Sequence, residues 1–287
     1  MEVDATSEFF LSFGTAVLTA VVWRPGGVSL SIGEDGRVEL DEEVLTGGNV
    51  SGEVVRIGRT VRKPATPSTA GVEAVLEHLA GFPASPRTLG RDERGRHVVE
   101  YIPGRLADTL PPLTPTELHK LGRLIRELHD AMEDFQPPDD VVWNVPIPDP
   151  AEGTLICHHD LAPWNLVVDG ERWVFIDWDG AGPGSRLWDL GYAAHGFVPF
   201  LPDGDPAVDA PRLRALVDGY GLDAAGRREL PAQIAAHTRG MFDLLRLGHQ
   251  TREQPWARLY SEGHAAHWGP TAEYIERHHD EWVAALS

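Results

Sequence analysis

Cysteine is nearly missing: Cys157 stands alone in 287 residues, so no internal disulfide and no cysteine-cluster metal site can form, a usage that fits a reducing cytoplasm. Lysine is almost as scarce, Lys63 and Lys120 being the only two among 25 basic residues. Positive charge as a whole is outnumbered, since 44 acidic residues leave a formal net charge of -19 and no local run of Arg or Lys relieves it. Nucleic acid and anionic membrane surfaces are therefore disfavoured as partners, and a cationic small molecule is mildly favoured. A membrane-spanning run is lacking too. The apolar stretch 9–23 falls short of the ~20 residues a span needs, and Glu2, Asp4 and Glu8 precede it where a signal peptide carries positive charge. Repeats and low-complexity tracts are absent. What is present is 42% hydrophobic residues, enough to build the core of one large domain or two lobes.

Residues 16–63 are rich in Val and Thr, and glycine-bearing breaks divide them into short alternating runs, the punctuation of antiparallel hairpins. Helical spacing first appears at 71–79, where Val72, Val75, Leu76 and Leu79 share a face. Strands are expected at 87–89 and 97–102, and Pro103-Gly104 then breaks the pattern. Thr114 or Thr116 can cap a helix reaching about residue 134, with Leu118, Leu121, Ile125, Leu128 and Met132 as its apolar stripe. After a proline-punctuated linker, 154–157 and 173–176 read as short buried strands, and helices follow near 187–194, 211–220, 227–247, 256–267 and 271–286.

One segment carries chemistry. His158-His159-Asp160-Leu161-Ala162-Pro163-Trp164-Asn165 is followed by a strand delivering Ile176-Asp177-Trp178-Asp179. An acid, a carboxamide five residues on and a second acid twelve beyond that are the parts phosphoryl transfer uses: a carboxylate for the hydroxyl proton, and hard oxygen ligands for Mg²⁺. The segment resembles the signature of the aminoglycoside phosphotransferase family, the small-molecule and antibiotic kinases with a protein-kinase-like fold. The likeness continues through Pro183 and Arg186 to Trp188-Asp189-Leu190-Gly191-Tyr192.

That resemblance implies an α+β, bilobal protein-kinase-like fold: an antiparallel β lobe with one helix, then a larger, mainly helical lobe. Residues 42–103 would form the nucleotide-clamping lobe and 104–287 the catalytic and substrate-binding lobe, with 1–41 an extension of extra β strands. By resemblance Asp160 is the catalytic base, His158 braces its loop, Asn165 and Asp177 hold Mg²⁺, and Asp189 anchors the loop. Lys63 is the nucleotide lysine, steered by Glu73 with Glu77 as second choice. Gly48 and Ser51 lie in the glycine-rich turn 46–52 expected over the phosphates, a turn that departs from the Gly-x-Gly-x-x-Gly form. Glu100 and Ile102 mark the hinge whose backbone would meet the adenine edge.

The expected function is transfer of the γ-phosphoryl group of ATP or GTP to a hydroxyl of a small polar, cationic molecule, an aminoglycoside-like antibiotic or a metabolite. The enzyme would be a cytoplasmic monomer or homodimer. A non-catalytic nucleotide-binding protein on the same fold is the rival from another class. The third is a metal-dependent hydrolase using His158 and His159, although consecutive histidines on an extended segment face opposite ways. His264 and His267, at i, i+3, lack a third ligand and are read as ordinary helix residues.

Overall fold

A computed structural model describes residues 30–32, 38–40, 42–45 and 54–287. The first part of the chain forms β1 (Leu30–Ile32), β2 (Val38–Leu40), β3 (Glu43–Leu45), β4 (Val54–Ile57), β5 (Thr60–Lys63), α1 (Thr69–His78), β6 (Thr88–Arg91) and β7 (His97–Glu100). β1 and β2 pair with each other, and the other five strands make one antiparallel sheet in the order β3-β4-β5-β7-β6. Five antiparallel strands with one helix are the first lobe of the bilobal, kinase-like α+β architecture. The glycine-rich turn, with Gly48 and Ser51, and residues 1–29 lie outside the described residues.

The rest runs β8 (Arg105–Leu106), α2 (Pro115–Ala131), β9 (Leu155–Cys157), β10 (Leu166–Asp169), β11 (Arg172–Phe175), β12 (Gly182–Gly184), α3 (Arg186–Phe197), α4 (Pro206–Tyr220), α5 (Ala224–Thr251), α6 (Trp256–Ser261), α7 (Ala265–Arg277) and α8 (His279–Leu286). Gly104, between β7 and β8, takes φ 143, and a Cβ there would stand 2.7 Å from the Val168 carbonyl oxygen, so only glycine lets the chain pass this close to β10.

α2 starts as its sequence predicts. Thr114 and Glu117 form a reciprocal capping box with Pro115 in the first turn, and Leu118, Leu121, Ile125, Leu128 and Met132 are each 2% exposed or less. Burying five such side chains contributes up to ~10 kcal/mol before entropy is set against it. The stripe meets α4 at a close crossing, because a Cβ on Gly122 would lie 2.0 Å from the Leu216 carbonyl oxygen.

Further along, Ser185 caps α3, Asp205 α4 and Asp223 α5. The helix expected at 256–267 is divided at Gly263, whose φ of 95 no helix accepts, and the one at 271–286 at His278. β10, which the sequence reading passed over, turns into β11 through the two-residue loop Gly170-Glu171. Among the described residues no helix is long and apolar enough to cross a membrane.

Candidate active site

Hairpin register brings the chemistry together. Leu166 pairs with Phe175, and the Ile176 N–H donates to the Asn165 carbonyl at 2.8 Å, so Asn165 and Asp177 leave the same end of one hairpin. Asp177 takes φ 61, a left-handed conformation uncommon for a non-glycine residue, and His159 takes φ 62. Two such residues within one loop cluster mark a place where surrounding contacts outweigh local backbone preference.

Asn165 is buried and its Nδ2 donates to the Asp160 carboxylate at 2.8 Å and to the Asp160 carbonyl at 3.1 Å. With Nδ2 spent on Asp160, the carboxamide oxygen is the Asn165 atom that could serve a cation. Trp164 and Tyr192 also donate to the Asp160 carboxylate. Burial, then the neighbouring Asp177 charge, raise Asp160 to about 7 against the pull of those donors.

The loop is fixed from behind. Asp189, fully buried, accepts from the His158 N–H at 3.2 Å, the His159 N–H at 2.8 Å and the His129 Nε2–H at 3.1 Å. Burial alone would raise its pKa, yet the hydrogen bond and charge of His129, with His159 and His158, hold it down at about 2. His158 donates from Nε2 to the Ile176 carbonyl at 3.1 Å and accepts the Asp160 N–H on Nδ1 at 3.2 Å, which ties the loop to the hairpin end. His159 points its Nε2 to the Gly182 and Pro183 carbonyls instead, both at 3.1 Å. The two rings serve different carbonyls, so a shared metal ion of the hydrolase kind finds no pair of histidines here.

Lys63 reaches across from the sheet. Its ammonium lies 2.6 Å from Asp177 Oδ1 and 2.6 Å from Asp179 Oδ2. Burial would lower its basicity, but the two carboxylates more than reverse this, and Lys63 holds its proton well above the usual lysine range. Asp177 is lowered, Lys63 overcoming the upward push of burial.

Glu73 corrects an expectation. It does not meet Lys63 but makes a two-pronged pair with Arg91, at 2.8 and 2.9 Å. The reason is competition: Lys63 is already neutralised by two carboxylates from the second lobe, while Arg91 on β6 offers Glu73 a planar fork of matching geometry. The second choice, Glu77, is exposed. At the hinge, the Glu100 side chain pairs with Arg87 at 3.1 Å and its N–H donates to the Arg87 carbonyl, while Ile102 is buried against Val167 and Val174. Neither side chain joins the cluster.

Asp179, Tyr192 and Trp164 were missed as site residues. The Asp-x-Asp spacing of 177 and 179 around a single turn was a usable signal for the first. The i, i+3 spacing of Asp189 and Tyr192 on α3 was one for the second, since it turns both toward the loop. Nothing in the sequence distinguished Trp164 from a packing residue.

A second line of support comes from known proteins. Residues 142–232 match the phosphotransferase enzyme family. The trifolitoxin immunity protein of Rhizobium leguminosarum bv. trifolii is 33% identical over 207 residues, 65% of this chain and 77% of that protein. An amicoumacin kinase, solved with AMP-PNP, Ca²⁺ and its ligand, shares the fold at a TM-score of 0.61 and 13% identity, over 82% of this chain and 88% of its own. A microcompartment-associated aminopropanol kinase does so at 0.58 and 17%, over 86% and 94%. The chain belongs to the phosphotransferase enzyme family, the aminoglycoside phosphotransferases that its catalytic loop resembles.

Proposed function

We propose that the protein transfers the γ-phosphoryl group of ATP to a hydroxyl of a small polar molecule. One observation carries this: Asp160, Asn165, Asp177 and Lys63, from three separate stretches of chain, come together where the end of β5 meets the catalytic loop. Carboxylate and carboxamide oxygens are the donors Mg²⁺ takes, and Asn165 Oδ1 with Asp177 would hold it. When bound, the ion supplies charge neutralisation on the phosphates. Asp160 orients the acceptor hydroxyl and receives its proton, its carboxylate held by Asn165, Trp164 and Tyr192. Lys63 meets the phosphate oxygens, Asp189 keeps the loop backbone in register, and His158 locks the loop to the hairpin.

The test is an ATP-consumption screen over an acceptor panel, read by mass spectrometry for the added phosphate. The relatives named for trifolitoxin immunity and for amicoumacin put toxins and antibiotics on that panel beside amino alcohols and sugars. Asp160→Asn should abolish transfer with ATP affinity unchanged, whereas Asp177→Ala should lose Mg²⁺-dependent ATP binding. Full turnover in the first variant removes the proposed base. ATP binding with no transfer to any acceptor favours the non-catalytic rival.

A further inference from the structure

The proline-punctuated linker between α2 and β9 contains no helix or strand, and among the described residues no backbone-to-backbone hydrogen bond holds 136–148. Side chains hold it instead. From Val141 to Asp149 the odd-numbered residues are half-buried or buried and the even-numbered ones exposed, the period of two of an extended chain. Pro146 and Pro148 stand among the outward positions, where a fixed φ keeps the chain extended and no N–H is left without a partner.

Three inward side chains of this strap each sit on a glycine. A Cβ on Gly71 would stand 2.7 Å from Trp143 Cζ3, one on Gly182 would run into Val145 Cγ2, and one on Gly240 would stand 2.8 Å from Ile147 Cγ2. None of these glycines takes a positive φ, so space rather than backbone conformation calls for glycine. The Trp188 Nε1–H donates to the Ile147 carbonyl at 3.2 Å and fixes the far end of the strap. The seats differ in place. Gly71 lies in the first turn of α1, Gly182 opens β12 two residues beyond the turn 178–180 that carries Asp179, and Gly240 lies in α5.

Trp143 alone of the three reaches both lobes. Its ring covers Gly71, its Cβ would be 3.2 Å from a Cβ on Gly182, and it packs against the main core. Lys63 meets Asp177 and Asp179 between the same two lobes, at 2.6 Å each. A rigid indole seated on two glycines sets how near α1 and β12 can come, because interiors at crystal-like density pass a displacement on rather than absorb it.

We propose that Trp143 is a positioning residue for phosphoryl transfer: it ties α1 to the start of β12 and so sets the separation at which Lys63 faces Asp177. The role in transfer rests on the phosphotransfer reading; the tie between the lobes does not.

AMP-PNP with Mg²⁺, titrated calorimetrically into full-length variants, tests the role without an acceptor. Alanine ordinarily outranks glycine inside a helix. Gly71→Ala should nevertheless weaken AMP-PNP binding at least about tenfold, ~1.4 kcal/mol, by pushing α1 off the ring. Phenylalanine ends short of the indole atoms that oppose Gly71, so Gly71→Ala combined with Trp143→Phe should return to within about threefold of the parent. Gly240→Ala crowds the same strap inside the second lobe alone, and should lower the melting temperature with AMP-PNP affinity within about twofold of the parent. Unchanged affinity in Gly71→Ala, no recovery in the double variant, or an equal loss in Gly240→Ala overturns the proposal. Hydrogen exchange without nucleotide reads the tie by itself: Gly71→Ala should quicken exchange in 69–78 and 177–184 and leave 115–131 as in the parent. A parent that binds no AMP-PNP sinks the phosphotransfer reading and the positioning role with it, while that exchange pattern upholds the tie and a uniform one removes it.

Discussion

His237 is a buried imidazole whose stability cost can be worked out. It is 3% exposed and wedged between the rings of Trp188 and Tyr192, each with its centroid 4.7 Å away. Its Nδ1 has no hydrogen-bond partner among the described residues. Burial, then the nearby His159, push it from an ordinary 6.5 down to about 3. Between those two values the unfolded chain binds a proton that the folded chain refuses, so stability falls as the pH falls. The linkage amounts to about 0.2 kcal/mol at pH 7 and about 2 kcal/mol near pH 5. His237→Phe keeps a ring of similar size in the wedge and removes the proton site. Urea unfolding of both proteins at the two pH values should show the variant gaining about 2 kcal/mol relative to the parent on acidification. His158, lowered to about 4, and Asp160, raised to about 7, are common to both proteins and cancel in the difference. Identical pH slopes for the two proteins would refute the claim that His237 is buried without its proton.

Two other outcomes follow from particular contacts. Asp189→Asn places an NH₂ against one of three donors and removes a buried charge; a loss of ~3–5 kcal/mol in chemical denaturation is expected, with phosphoryl transfer falling alongside. Glu73→Gln breaks only the Arg91 pair, of a kind worth ~1 kcal/mol or less at a surface, so steady-state kinetics should give a KM for ATP unchanged within about twofold.

The legible features were those written in local pattern. The α2 stripe and its Thr114-Glu117 cap announced themselves because helical periodicity and capping are short-range properties. Asp160, Asn165 and Asp177 were legible through their spacing, and the hairpin register that brings them together realises it. What stayed hidden depends on long-range choice. The partner of Lys63 was expected from α1, 10 residues along the chain at Glu73, and came instead from Asp177, 114 residues away. Which carboxylate an ammonium meets is set by how the two lobes close, a property no local window contains. The His129 support of Asp189 was hidden for the same reason, 60 residues separating the pair. β10 was lost because Leu166-Val167-Val168 is too short a run to stand out beside a catalytic loop.

The Lys63 clasp yields the last prediction. Lys63 is 11% exposed, while Asp177 and Asp179 are 35% and 39% exposed, so solvent screens part of the interaction. Lys63→Met should therefore cost ~1–3 kcal/mol rather than the ~3–5 kcal/mol of a fully buried pair. It removes the ammonium that Asp177 and Asp179 share, each at 2.6 Å. Mg²⁺ competes with the ammonium for those oxygens in the parent and has no such rival in the variant. Tenfold tighter binding of the ion would add ~1.4 kcal/mol of stabilisation at saturating ion. Thermal unfolding across a Mg²⁺ series, against NaCl of matched ionic strength, should raise the melting temperature of Lys63→Met more than that of the parent. Equal responses would mean that Asp177 and Asp179 do not offer their oxygens to a divalent ion, and the assignment of Asp177 as a Mg²⁺ ligand would go with them.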